Sequence, residues 1–64
     1  MGNWIERTPK QGETVRFMLN DILTVGVFLK RGPGSAQTYW IIDIGFRRVW
    51  VWEYATFEVW EYYN

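Results

Sequence analysis

The chain contains no cysteine and no histidine, and its only serine is Ser35. Without cysteine it has no disulfide and no thiolate–metal site to hold a small domain together. Without histidine it lacks the side chain that most often acts as a general base near neutral pH. Ser35 therefore has no base to activate it, and we expect no catalytic residue, no metal site and no cofactor.

Carboxylates are the remaining candidates for catalysis. Glu53, Glu58 and Glu61 lie within a run of aromatic residues, and two carboxylates beside sugar-stacking rings are what glycosidases use. A barrel of 64 residues has little room for a cleft that would dehydrate one carboxyl group and raise its pKa. We therefore interpret these residues as surface charge, which also discourages unwanted strand addition.

Long apolar runs and an excess of one charge are missing as well. No stretch approaches the ~20 apolar residues that span a bilayer, and residues 1–7 lack the basic start and apolar core of a signal peptide. Seven Lys and Arg balance seven Asp and Glu, which argues against strong non-specific binding to nucleic acid. We expect a cytoplasmic protein with no membrane partner.

Alternating apolar residues predict strands, and no segment sustains the spacing of an amphipathic helix. The chain forms one predicted domain, residues 1–64, with strands at about Glu13–Leu19, Ile22–Arg31, Thr38–Ile44, Phe46–Tyr54 and Thr56–Tyr63. Asn20-Asp21 predicts a tight turn, residues 32–37 a hairpin loop, and Gly26 a bulge or bend inside its strand. The predicted fold class is all-β, either a small five-stranded SH3-like barrel or a strongly coiled antiparallel meander.

The segment Val49–Tyr54 is the most informative part of the sequence. Side chains alternate along a strand, so Trp50, Trp52 and Tyr54 lie on one face and the valines on the other. Either these rings fill the barrel, which is the commoner outcome, or they form an exposed platform for a partner. Both alternatives stay open, while Trp40 in the third strand is expected in the core.

The predicted function is that of a noncatalytic module that binds a protein through an aromatic β surface. The last two strands are expected to pair as a hairpin across Ala55, with self-association as a homodimer through that hairpin. The candidate partner-binding residues are Trp50, Trp52, Tyr54, Trp60 and Tyr62.

Binding of single-stranded nucleic acid is the alternative function. It requires cations interleaved with stacking rings, and the candidates are the pairs Lys30-Arg31 and Arg47-Arg48 beside Trp50 and Trp52. The three glutamates that follow the arginines favour a protein partner over this alternative.

The opening of the chain shows a motif of its own. Trp4-Ile5, Pro9, Gly12-Glu13, Val15 and Phe17 fit the pattern Trp-Ile…Pro-x-x-Gly-Glu-x-Val. The first seventeen residues thus resemble small phage and prophage proteins of unknown function, many of which end in Trp-Met-Pro-Leu-Pro, a tail that this chain lacks. The resemblance implies a mobile-element origin and a small β domain, and it implies no chemistry. Trp4 and Ile5 are expected to pack over one end of the barrel.

Overall fold

The computed structural model describes residues 1–32, 39–52 and 54–62. Within these ranges the chain forms six strands and no helix. They are β1 (Gly2–Glu6), β2 (Thr14–Leu19), β3 (Ile22–Gly32), β4 (Tyr39–Asp43), β5 (Arg48–Trp52) and β6 (Glu58–Tyr62). Most of the predicted hairpin loop, together with Ser35, Glu53 and Tyr63, lies outside the described residues. The described part of the chain has no helix with the length and apolar character needed to cross a membrane.

All strands belong to one antiparallel sheet in the order β1-β6-β2-β3-β4-β5. Strands β2 to β5 form a meander, and Asn20 and Asp21 make the predicted tight turn with φ values of 50° and 66°. Strand β6 leaves the meander and pairs with β2, so that the sheet curls around one core. The prediction of a small all-β, SH3-like fold is confirmed, with one strand more than predicted and an open sheet whose edge strands are β1 and β5.

The predicted C-terminal hairpin is wrong, because β6 pairs with β1 and β2 and not with β5. The reason is Phe57, which is buried in the β5–β6 connection. Its ring lies 5.5 Å from the ring of Phe17 and 6.0 Å from that of Trp40, between centroids. Burial of Phe57 carries the chain across the core to the far side of the sheet.

The predicted N-terminal plug is wrong as well. Trp4 and Ile5 lie in β1, where they pair with Trp60 and Val59 of β6. Because the backbone of these residues continues the sheet, they extend it at one edge and do not cover its end.

The core contains valine, isoleucine and aromatic residues from β2 to β6. Its members are Val15, Phe17, Phe28, Trp40, Ile42, Val49, Val51, Phe57 and Val59. Trp40 is only 7% exposed, which confirms its predicted position. Val49 and Val51 form the buried side of β5, so Trp50 and Trp52 point away from the core. Of the two alternatives left open by the sequence, the rings are exposed and do not fill the core.

β3 contains an irregularity, but it does not lie at Gly26, which pairs in regular register with Val15. The register between β3 and β4 shifts between Phe28 and Lys30, so the bulge lies further along the strand than predicted. A Cβ atom at Gly26 would lie 2.7 Å from the carbonyl oxygen of Asp43 and 2.7 Å from Cγ2 of Ile42. Glycine is therefore required there because β4 approaches the backbone closely.

Candidate protein-binding surface

The side of the sheet opposite the core carries many exposed apolar side chains. Residues paired across antiparallel strands project to the same face, so the register assigns each side chain to a side. We define the outer apolar face as Met18, Leu23, Val25, Val27, Tyr39, Ile41, Trp50 and Trp52. The exposed fractions are 57% for Leu23, 52% for Val25 and 61% for Trp50. These residues span four neighbouring strands, β2 to β5.

Three rings form a cluster at the β5 end of this face. The Tyr39 ring centroid lies 4.9 Å from that of Trp52 and 5.7 Å from that of Trp50. Ile41 pairs with Trp50 and is only 6% exposed although it lies on the outer side. The cluster therefore holds its two tryptophans against the sheet while half or more of each remains open to solvent.

Tyr54, the third residue of the predicted ladder, lies beyond the end of β5. The chain turns there, with the Ala55 N–H donating to the Trp52 carbonyl at 3.0 Å. Tyr54 is 85% exposed. The strand alternation therefore does not extend to it.

Trp60 and Tyr62 belong to a second aromatic cluster, on β1 and β6. The Trp60 ring lies 5.2 Å from that of Trp4 and 5.8 Å from that of Tyr62, between centroids. The Arg16 guanidinium carbon lies 4.6 Å from the centre of the Trp4 ring. The register places this cluster on the same outer side of the sheet as Trp50, but three strands separate β6 from β5, so the predicted partner-binding residues form two clusters and not one continuous patch.

Two of the glutamates expected near the tryptophans of β5 are paired with arginines elsewhere. Glu58 accepts from Arg16 Nε at 2.9 Å, and Glu61 accepts from Arg7 Nε at 2.6 Å. Hydrogen bonding to Arg16 lowers the pKa of Glu58 below its usual range. Both glutamates lie on β6, away from the Trp50 cluster, so they place no negative charge beside its rings.

Arg7 also binds Glu13, which holds the segment after β1 against the start of β2. Arg7 Nη1 donates to Glu13 Oε1 at 2.9 Å, and the Lys10 backbone N–H donates to the same carboxylate at 2.6 Å. The hydrogen bonds from Arg7, more than the one from Lys10, lower the pKa of Glu13 to about 2. This arrangement is structural, since each charged group already has its counter-charge.

The four cations proposed to bind nucleic acid lie in different places in the fold. Lys30 is in register with Ile41 and Trp50 on the outer side, and exposed Arg48 lies on that side as well. Arg31 lies on the other side, with its guanidinium carbon 4.9 Å from the centre of the Trp40 ring. Arg47 lies against Phe46 in the β4–β5 turn, at 5.9 Å from the ring centre. Two of the four cations thus flank the exposed tryptophans.

A small cleft opens on the opposite side of the molecule. Its volume is about 210 Å³, and its walls are Glu6, Arg7, Thr8, Pro9, Trp40, Ala55, Thr56 and Phe57. The indole N–H of Trp40 is buried and has no hydrogen-bond partner among the residues that the structure describes. Among the described residues there is no group of three or more His, Cys, Asp and Glu that could hold a metal ion.

Sequence reasoning missed several residues on the outer side of the sheet. Tyr39 and Trp4 complete the two aromatic clusters, and Leu23, Val25 and Val27 supply the aliphatic part of the outer apolar face. The sequence signal for the aliphatic part was Gly26. It lies on the side of β3 where a Cβ would collide with β4, so that side faces inward and Leu23, Val25 and Val27 face outward. No family model, no curated protein and no solved structure matches this chain.

Proposed function

We propose that this protein is a noncatalytic interaction module that binds a protein partner through the outer apolar face. The observation that carries the proposal is the exposure of aliphatic and aromatic side chains together across β2 to β5. Contiguous apolar patches larger than a few hundred Å² are rare on monomers and mark interaction sites. A surface of this kind needs a partner that removes it from water.

The aliphatic part of the face favours protein as the partner. Leu23, Val25 and Val27 gain from burial against apolar side chains, whereas a nucleic acid strand offers them little apolar surface. The charges define the partner further. Lys30 and Arg48 border the tryptophans, and the nearby Asp43 carboxylate already accepts from the Gly45 N–H at 2.9 Å. The partner surface that fits is therefore apolar at its centre and acidic at its rim.

Single-stranded nucleic acid is the second candidate, and one observation favours it. Lys30 and Arg48 flank Trp50 and Trp52, and Glu58 and Glu61 are held on β6 by arginines. Exposed rings beside cations are what base stacking and phosphate binding require. In this case the aliphatic residues of β3 would contribute little to binding.

We also propose that the protein acts in the cytoplasm and comes from a phage or prophage, with a host or phage protein as its partner. The absence of cysteine supports the compartment, because small exported domains commonly rely on disulfides. The motif between Trp4 and Phe17 supports the origin.

Capture from bacterial lysate with matched variants tests the proposal. Leu23 and Ile22 are adjacent, and both are more than half exposed, but only Leu23 lies on the outer apolar face. We expect Leu23→Ser with Val25→Ser to lose the captured protein, and Ile22→Ser to retain it, with or without nuclease. A captured protein that survives the double substitution would contradict the proposal.

The same experiment separates the second candidate. Capture that disappears after nuclease treatment, together with salt-dependent binding of an oligothymidine that Lys30→Ala and Arg48→Ala abolish, would establish nucleic acid as the ligand.

A further inference from the structure

Strand β5 is an edge of the sheet, and its free side carries backbone groups that need partners. It pairs with β4 on one side, and no described residue continues the sheet on the other. Its sequence, Arg48-Val49-Trp50-Val51-Trp52, contains no proline, no glycine and no charge directed toward the core. Proline and inward-pointing charge are two of the features by which natural sheets protect exposed edges, so an edge that lacks both is suited to strand pairing.

The register shows which backbone groups face outward. The Ile44 N–H donates to the Arg47 carbonyl at 3.0 Å, so this pair is a hydrogen-bonded one. Hydrogen-bonded pairs alternate along an antiparallel ladder, so Val49 and Val51 bond to β4. The N–H and C=O groups of Arg48, Trp50 and Trp52 therefore point to the free edge.

We infer that β5 pairs antiparallel with β5 of a second copy of this chain, about a two-fold axis at Trp50. In this register Trp50 lies opposite its own counterpart and exchanges two backbone hydrogen bonds with it. Arg48 lies opposite Trp52, where a guanidinium beside an indole is favourable, and Val49 lies opposite Val51 on the core side. Every pair is apolar or cation–aromatic, and no like charges meet.

The outer hydrogen bonds of this pairing also fit the free groups. The Trp52 N–H donates to the Arg48 carbonyl of the other copy. The Arg48 N–H points at the Trp52 carbonyl, which accepts from Ala55 at 3.0 Å and has a second lone pair.

The other edge fits a second copy less well. Two β1 strands paired about Trp4 would place Gly2 opposite Glu6 and the polar Asn3 opposite Ile5. Pairing of β5 with β1 of another copy would be head-to-tail, and head-to-tail contacts close into rings or extend into filaments. The two-fold β5 contact closes after two chains.

The dimer goes beyond the proposed function and does not depend on it. Pairing at the edge leaves the outer apolar face uncovered and places two copies of it side by side in one continuous sheet. A partner that binds one face could then bind both, with a gain from bivalency.

The test compares two substitutions at the same position. Trp50→Ala removes the ring and keeps the N–H, whereas Trp50→Pro removes both, and proline is tolerated at an edge position whose N–H faces outward. By sedimentation over a hundredfold dilution, we expect wild type to dimerise and Trp50→Pro to dissociate at a concentration at least about tenfold higher than Trp50→Ala. Circular dichroism confirms that each variant is folded.

Amide hydrogen exchange supplies a second readout with an internal control. The Trp50 amide should be protected at high concentration and exchange rapidly on dilution, while the Val49 and Val51 amides stay protected at both. A single-chain mass at every concentration, a Trp50→Pro dimer as stable as the Trp50→Ala one, or a Trp50 amide indifferent to dilution would overturn the inference. The mass readout is independent of partner capture, so failure here and failure of the proposed function are distinguishable.

Discussion

Replacing Trp40 and Trp50 separately by alanine tests the division between core and outer face. Both are tryptophans in neighbouring strands, but Trp40 is 7% exposed and Trp50 is 61% exposed. Trp40 packs against Phe28 at 5.4 Å and Phe57 at 6.0 Å, between ring centroids. The Trp50 ring packs on the solvent-exposed side of the sheet, with its centroid 5.7 Å from that of Tyr39.

The expected costs differ several-fold. Truncating a buried tryptophan to alanine costs about 3–5 kcal/mol. Trp50→Ala should cost less, because most of this side chain is exposed: it loses a ring pair with Tyr39 worth about 0.5–1.5 kcal/mol and part of the cover over Ile41. At about 0.05–0.15 kcal/mol per residue, a chain of 64 residues has a free energy of unfolding of about 3–10 kcal/mol. Trp40→Ala therefore removes a large part or all of it.

Urea unfolding followed by circular dichroism and by NMR methyl dispersion measures the difference. With an m-value of about 1 kcal/mol/M, we expect Trp40→Ala to lower the midpoint by about 3 M or more, or to abolish the transition. Trp40→Phe keeps an aromatic ring in the core and removes the buried N–H, for which no described residue is a hydrogen-bond partner, so it should fold where the alanine variant fails. Equal midpoints for Trp40→Ala and Trp50→Ala would refute the assignment of the two faces.

Two further substitutions test other parts of the fold. Gly26→Ala should lower the free energy of unfolding by about 1–3 kcal/mol, because its Cβ would press on the β4 backbone. Val25 is the neighbouring residue and is half exposed, so Val25→Ala should change the free energy of unfolding by less than about 1 kcal/mol. Thermal melts measure both. The Glu13 carboxylate has a folded pKa of about 2 against an ordinary 4.5, so its stabilising contribution is complete above pH 4.5 and is lost as the pH falls toward 2. Glu13→Gln should therefore lower the melting temperature at pH 6 and have little effect at pH 2; an equal loss at both would contradict the role of the Arg7 pair.

The pattern of β strands, the turn at Asn20-Asp21 and the burial of Trp40 were predictable because they depend on local alternation and turn chemistry. The division of β5 into buried valines and exposed tryptophans was not predictable. Both faces of that strand are apolar, so alternation shows which residues share a face but not which face is inside. Only the closure of the sheet by β6, which fixes Val59 against Val15, selects the valine side.

The pairing of β6 was missed for a related reason. A short connection between two apolar strands favours a hairpin, and residues 53–57 are short enough to make one. The competing term is the burial of Phe57, which fills the space between Phe17 and Trp40 only if the chain crosses the core. Burying one large ring contributes more than a local turn, so a long-range contact overrode the local preference.

The same crossing shapes the candidate site. By taking β6 to the far side of the sheet, it removes Glu58 and Glu61 from the tryptophans of β5 and gives them Arg16 and Arg7 as counter-charges. It also leaves β5 without a second neighbour among the described residues. The exposed rings, the cations beside them and the free backbone edge thus share one structural cause, the position of Phe57. A substitution that releases Phe57 should therefore disturb the binding face and the edge together, whereas Leu23→Ser with Val25→Ser on β3 should alter the face and leave the edge intact.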